Sequence, residues 1–193
     1  MEEGKRLIIG LTGKVGSGKG TIADYLAEKD FFVTSLSDRI REEIRSRGGE
    51  ITRERLLKVS DELRWKYGPE VLAQRSWEKV IFQGKQKAVI DSIRGETEVD
   101  YLKRQPGFIL LGVTASPEVR FERIKARDRE SDPQIFEEFL AVEERDVKSG
   151  IGKVGRDIEK CLGKADFLIE NNGTIEELKT KVEEILSKLS DNI

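Results

Sequence analysis

Nine consecutive residues, Gly13-Lys14-Val15-Gly16-Ser17-Gly18-Lys19-Gly20-Thr21, have the types and spacing that polyphosphate chemistry requires. Backbone N–H groups wrap a polyphosphate closely only where side chains do not interfere, and Gly13, Gly16 and Gly18 give the chain that freedom. Lys19 follows at the spacing of a Walker A loop, where an ammonium reaches between the β and γ phosphates and stabilises charge as a phosphoryl group moves. There is one departure. Gly20 stands where the magnesium-binding Ser or Thr usually stands, and the hydroxyl arrives one residue later at Thr21. Magnesium is therefore expected to be held mostly through water, with Thr21 beside it.

Asp91 ends a short apolar run, as a Walker B carboxylate does, and could hold a magnesium-bound water beside the transferring phosphate. The other reading is a capping aspartate. Arg120, Arg123 and Arg127 recur at helical spacing on one face, and Arg129 continues into the following loop. A charged surface face would have the same pattern.

The elements around these residues follow from periodicity. Leu7 to Ile9 reads as a first strand buried on both faces, and the glycine-rich turn leads into a helix carrying Ile22 and Leu26. Phe31 to Thr34 reads as a second strand; a loop with Ser35 and Ser37 then leads to a helix capped by Asp38, running through Arg47 and stopping at Gly48-Gly49. Residues 52 to 83 read as two helices separated by Gly68-Pro69. Ala88 to Ile90 and Phe108 to Val113 make two more buried strands. A helix is expected from Pro117 through Arg127, and Asp132-Pro133 supplies a cap and first-turn proline for the next. Phe167 to Ile169 is the last strand, and Thr174 with Glu177 forms a capping box for a closing amphipathic helix. Alternation at these spacings predicts an α/β fold: a three-layer αβα sandwich around a five-stranded parallel sheet.

Composition narrows the classes. The 193 residues are expected to form one domain. Lys plus Arg number 35 against 37 Asp plus Glu, so the net charge of -2 gives no global attraction to nucleic acid or acidic membranes. An anion site must be local. No apolar run approaches the roughly 20 residues that span a bilayer, and no export signal is visible, so a cytoplasmic location is expected. Cys161 is the single cysteine and there is no histidine, which excludes an intrachain disulfide, a Cys/His zinc site and a Ser-His-Asp triad. Cys161 reads as a small buried hydrophobe.

The loop GxxGxGKGT resembles that of adenylate kinases and other nucleoside monophosphate kinases. More broadly, Ile8 to Asp38, Val89-Ile90-Asp91-Ser92-Ile93-Arg94 and Arg129-Glu130-Ser131-Asp132-Pro133 resemble an archaeal family related to adenylate kinase and dephospho-CoA kinase. The resemblance implies a P-loop nucleotide kinase fold, with ATP and magnesium as cofactors and a nucleoside or deoxynucleoside monophosphate as acceptor. In such kinases an Asp-x-x-Arg places an arginine on the acceptor phosphate; Asp38-Arg39-Ile40-Arg41 is similar, with Arg41 at the matched position, and Ser37 beside it. A solvated helix charge is the alternative for Arg41. Arg94 resembles the arginine after a DGFPR-type turn, one residue closer here. Arg123 and Arg127 fall where such kinases carry lid arginines, with Arg145 completing the clamp. The resemblance also divides the domain into a helical acceptor-binding region, 38–83, and a short arginine-rich lid, 123–147, without the cysteines of a zinc-bearing lid.

Trp65, Tyr67 and Trp77 lie in the acceptor-binding region, where core packing competes with stacking on a base. The reading for the whole chain is ATP-dependent phosphoryl transfer to a small phosphorylated acceptor. Its partners would be small nucleotides, with no nucleic acid and no membrane, acting as a monomer or homodimer. Transfer to the ribose hydroxyl of dephospho-CoA and acceptor-independent ATP hydrolysis are the two alternatives.

Overall fold

The apolar runs become five parallel strands: the three inner ones, buried on both faces, find a neighbour on either side, while the two edge strands pair on one side only and leave Val33 and Leu168 exposed. In the computed structural model, which describes residues 6–127, 133–148 and 157–191, these are β1 (Leu7–Thr12), β2 (Phe32–Ser35), β3 (Lys87–Ile93), β4 (Phe108–Thr114) and β5 (Phe167–Glu170). Their order is β2-β3-β1-β4-β5, and every pairing is parallel. β1 is central: Ile9 stands opposite Val89 of β3 and Ile109 of β4.

Alternation along the strands assigns the two faces. Ile8, Ala88, Ile90 and Leu110 point to a layer that includes α2 (Leu36–Ser46), α3 (Arg53–Tyr67), α4 (Val71–Phe82) and α5 (Glu96–Lys103). Ile9, Leu11, Val89 and Leu111 point the other way, to α1 (Lys19–Ala27) and α9 (Ile175–Asp191), whose Leu178, Val182, Ile185 and Leu189 form the buried stripe. The result is the three-layer sandwich expected from the sequence. α6 (Pro117–Ala126) and α7 (Phe136–Lys148) pack on each other through a satellite cluster of Phe121, Ile124, Phe136 and Phe139. α8 (Ile158–Gly163) buries Cys161, whose thiol is pushed up to about 12 by that burial. No described helix is long and apolar enough to cross a membrane.

Several local expectations are corrected. α2 begins one turn earlier than Asp38: Ser35 is the N-cap, and Asp38 closes a capping box with it, accepting from Ser35 N at 3.0 Å while donating its own N–H to Ser35 Oγ at 3.1 Å. Ser37 therefore sits in the first helical turn rather than a loop. α7 starts at Phe136, after Pro133 instead of at it, and Asp132 lies outside the described residues. Asp91 caps no helix; it is within β3, opposite Ser35 of β2. Core packing holds for Trp77, which is 7% exposed, but Trp65 is 87% exposed and Tyr67 half exposed, its ring flanked by Lys66 and Arg75. α3 ends at Tyr67, with Gly68 as its C-cap, so both rings lie in its last turn, after the last buried residue, Arg64.

Candidate active site

Three elements converge at the carboxyl ends of β1 and β3, on either side of the point where the chain's crossovers change direction, the usual position for a ligand in an open parallel sheet. At the end of β1 the Thr12 hydroxyl donates to Ile93 O at 2.9 Å, pinning the start of the glycine loop to β3. The β1–β3 register shifts between Gly10 and Thr12, and Ser92 takes φ 65° in that interval. The irregularity takes Asp91 out of the β1–β3 ladder just where the loop begins, while its pairing with Ser35 of β2 is kept.

Glycine is required in the loop for reasons that lie outside it. Gly16 has φ 81°, and a Cβ there would meet the Arg120 carbonyl of α6 at 2.7 Å; Gly18 has φ 107°, and a Cβ there would strike the Asn171 side chain. Gly20, in contrast, faces open space and has an ordinary φ, so nothing in the backbone demands glycine at the position that lacks the expected hydroxyl.

The loop carbonyls are drawn outward one by one. Lys19 Nζ donates to Gly13 O at 2.8 Å and Lys14 O at 2.9 Å. Arg120 donates to Val15 O at 3.4 Å, Arg123 to Gly16 O at 3.5 Å, and Asn171 Nδ2 to Ser17 O at 2.8 Å. Five successive acceptors are thus engaged from the protein side, an arrangement that leaves the loop free to turn amide dipoles toward an anion. Lys14 extends to the rim, paired with Glu159 at 3.0 Å, and Val15 is the exposed tip.

Lys19 is half-buried at the first residue of α1. Desolvation lowers its pKa to about 8; the Asp91 carboxylate opposes this, while Arg94 and Arg120 add to it. These four residues, far apart in sequence, form one electrostatic group. Asp91 Oδ1 is buried without a hydrogen-bond partner, as is Ser17 Oγ, and Asp91 Oδ2 receives only Ser92 Oγ at 3.4 Å. Orphaned oxygens beside a phosphate loop fit a hydrated magnesium ion, which takes few protein ligands and completes its shell with water and phosphate. Among the described residues no group of three or more carboxylates, cysteines or histidines could hold a metal alone, so Asp91 and the Thr21 hydroxyl on the first turn of α1 would share that role with the nucleotide.

The remaining predicted residues divide. Arg94 lies on the turn after β3, half-buried and within the field of Lys19, and its guanidinium has no carboxylate partner among the described residues. Arg41 stands on α2, 38% exposed, with a 3.3 Å contact to Asp38. Ser37 is half-buried one turn before it. Arg123, expected over the phosphates, turns inward: besides Gly16 O it holds Asn171 O at 3.0 Å, Asn171 Oδ1 at 3.3 Å and Gly173 O at 3.1 Å. Arg127 is exposed at the end of α6. Arg129 and the side chain of Arg145 lie outside the described residues.

Arg120 is the residue that its sequence pattern misrepresents. Only 3% exposed, it holds Val15 O and Ala115 O, pairs with Glu143 of α7 through both Nη atoms, and stacks over Phe139. The three arginines of α6 therefore share no solvated face: one is buried, one half-buried and one exposed. Asn171 carries no sequence signal either, since nothing in the pair Asn171-Asn172 after a strand marks a contact with a loop 154 residues earlier. A groove of about 510 Å³ between α2 and α4, lined by Arg39, Glu43, Arg75 and Phe82 among others, contains none of these residues.

The sheet order and the glycine loop between β1 and α1 define a P-loop kinase fold. A profile of the AAA domain matches residues 9–146. The chain belongs to the UPF0200 family: it is 38% identical over 192 residues to a UPF0200 protein of Thermococcus kodakarensis, covering 95% of this chain and 100% of that one. It is 36% identical over 191 residues to another from Pyrococcus horikoshii, covering 96% and 99%. Among solved structures it is similar to a Thermus thermophilus protein (TM-score 0.62, 25% identity, 96% and 98% coverage). It also shares its fold with shikimate kinase from Acinetobacter baumannii (TM-score 0.60, 19% identity, 97% and 96% coverage).

Proposed function

We propose that this protein transfers the terminal phosphoryl group of ATP to a small phosphorylated acceptor, a nucleoside or deoxynucleoside monophosphate, giving the diphosphate. The observation that carries the reading is the grouping of Lys19, Asp91 and Arg94 at the mouth of the glycine loop. The P-loop kinase fold supports nucleotide-dependent phosphoryl transfer as the reaction class.

In this reading residues 13 to 21 cradle the ATP phosphates and Lys19, released from Gly13 O and Lys14 O, moves onto the β and γ oxygens. Asp91 and Thr21 would hold the water shell of a magnesium ion, which would supply charge neutralisation. Arg41, Arg94 and Ser37 hold the acceptor phosphate, the guanidinium groups gripping two oxygens each. Arg127, in the lid segment, neutralises transferring charge, and Arg123 contributes by holding the loop at Gly16. A phosphate acceptor is already nucleophilic, so no histidine is needed. Positioning and charge neutralisation carry the catalysis.

A hydroxyl acceptor such as dephospho-CoA is the second reading, and one observation favours it. Asp91 Oδ1, buried without a partner, is available to take a proton. Both readings are tested by measuring ADP formation from magnesium-ATP with ribo- and deoxynucleoside monophosphates and with dephospho-CoA. A diphosphate product supports the first, CoA the second. ADP release independent of every acceptor would replace both with a simple ATPase.

A further inference from the structure

Glu98 is a charged residue with no solvent exposure, on the first turn of α5. One carboxylate oxygen accepts from the backbone N–H groups of Arg94, at 3.0 Å, and Gly95, at 2.9 Å. The other receives Arg64 Nη2 of α3 at 2.6 Å. Arg64 is itself 4% exposed and donates its other Nη to the Ser60 carbonyl and hydroxyl one turn before it. The far side of the same peptide is also held, because Arg94 O accepts from Asp157 N at 2.6 Å. The backbone of Arg94 is thus fixed from both ends, while its side chain, with no carboxylate partner among the described residues, is near enough to Lys19 to act on its charge.

A buried ion pair is a poor source of stability, since apolar side chains of the same volume usually serve as well or better. Its position is what distinguishes this one. It lies at the joint between the helical acceptor-binding region and the turn that carries Arg94. We propose that Arg64 and Glu98 are positioning residues that set the guanidinium of Arg94 against the acceptor phosphate, so that the seating of α3 determines acceptor affinity. The inference rests on the phosphoryl-transfer reading above.

Three variants test it: Glu98→Gln, Arg64→Lys, and the double variant Arg64→Met/Glu98→Leu. The double variant removes both charges and so leaves no unpaired charge in the core, which protects the fold. The assay is magnesium-ATP turnover with AMP, CMP, GMP, UMP and dTMP, alongside hydrogen exchange at the Arg94 and Gly95 amides. The expected result is an acceptor KM raised about tenfold in the double variant, the loss of one charge-assisted hydrogen bond. The KM for ATP stays within about twofold, since its loop is untouched, and both amides exchange faster. Arg64→Lys, which retains the charge, should recover part of the acceptor affinity lost in the double variant.

A lower melting temperature with both KM values unmoved, or moved together, would mean that the pair is merely structural and would overturn the inference. If wild-type turnover depends on a monophosphate and Arg94→Ala raises its KM while the double variant does not, the inference alone falls. If no monophosphate stimulates wild-type turnover, the acceptor reading falls and takes the inference with it.

Discussion

The glycine loop and the helices α2 to α4 are built on opposite terms. Around the loop, five carbonyls from Gly13 to Ser17 are held by Lys19, Arg120, Arg123 and Asn171, drawn from α1, α6 and the segment after β5. On the other side, Arg41 has one 3.3 Å contact, and Trp65 and Phe82 project into solvent at 87% and 86% exposure. Preorganised dipoles stabilise charge at no reorganisation cost, so in the proposed phosphoryl transfer the cross-braced side is the one where charge would move and the looser side the one an acceptor would enter.

The contrast can be broken from the rigid side first. Lys19→Ala is expected to lower phosphoryl transfer by about 10³-fold with the fold intact, since it removes the central cation and two bonds to loop carbonyls; turnover against a thermal melt checks this. Arg123→Ala should cost about 2 kcal/mol of stability in denaturant unfolding, because its donors bind carbonyls that would be left partly unsatisfied. On the open side, Arg41→Ala should raise acceptor KM about tenfold without altering stability or ATP binding, and equal loss of both affinities would erase the distinction.

Protonation sharpens it further. With Lys19 lowered to about 8 from 10.5, affinity for ADP should fall by a few-fold per pH unit above 8, measured by calorimetry from pH 7 to 9.5. The sign for folding is the reverse. The unfolded chain binds this proton more tightly than the native one, so the residue's contribution to stability improves as pH rises from about 8 to 10.5. The smallest effect belongs to Trp65→Ala, expected within about 0.5 kcal/mol of wild type, whereas Trp77→Ala, its buried counterpart, should lose about 3 kcal/mol or more.

Much of this was legible without coordinates. Buried parallel strands read as continuous apolar runs, so all five were visible, and the loop glycines carry a motif because their φ values are forced. α5 and α8 were missed because they are short, eight and six residues, and the N-cap of α5 is Gly95, which carries no capping side chain. Only the reverse half of a capping box could be read, in Glu98 three residues on, whose carboxylate accepts from Gly95 N. Burial of single arginines was illegible in principle. Arg120 and Arg123 share a helix and a spacing, yet what each touches depends on strands and loops remote in sequence. Trp65 failed for a related reason: periodicity finds a helical face but not whether a neighbouring layer extends far enough to cover it.

The central place of β1 also sets an order of assembly. The glycine loop emerges early from the ribosome, but the strand before it is completed only when Val89 and then Ile109 arrive to pair with Ile9, and the loop's last brace, Asn171, comes later still. Such long-range pairing is slow to form, and an early hydrophobic strand open along its edges is exposed to mispairing while it waits. Nucleotide binding in a nascent chain would therefore report that synthesis has passed β5, and a fragment ending before Phe108 should carry the whole loop sequence and bind no nucleotide.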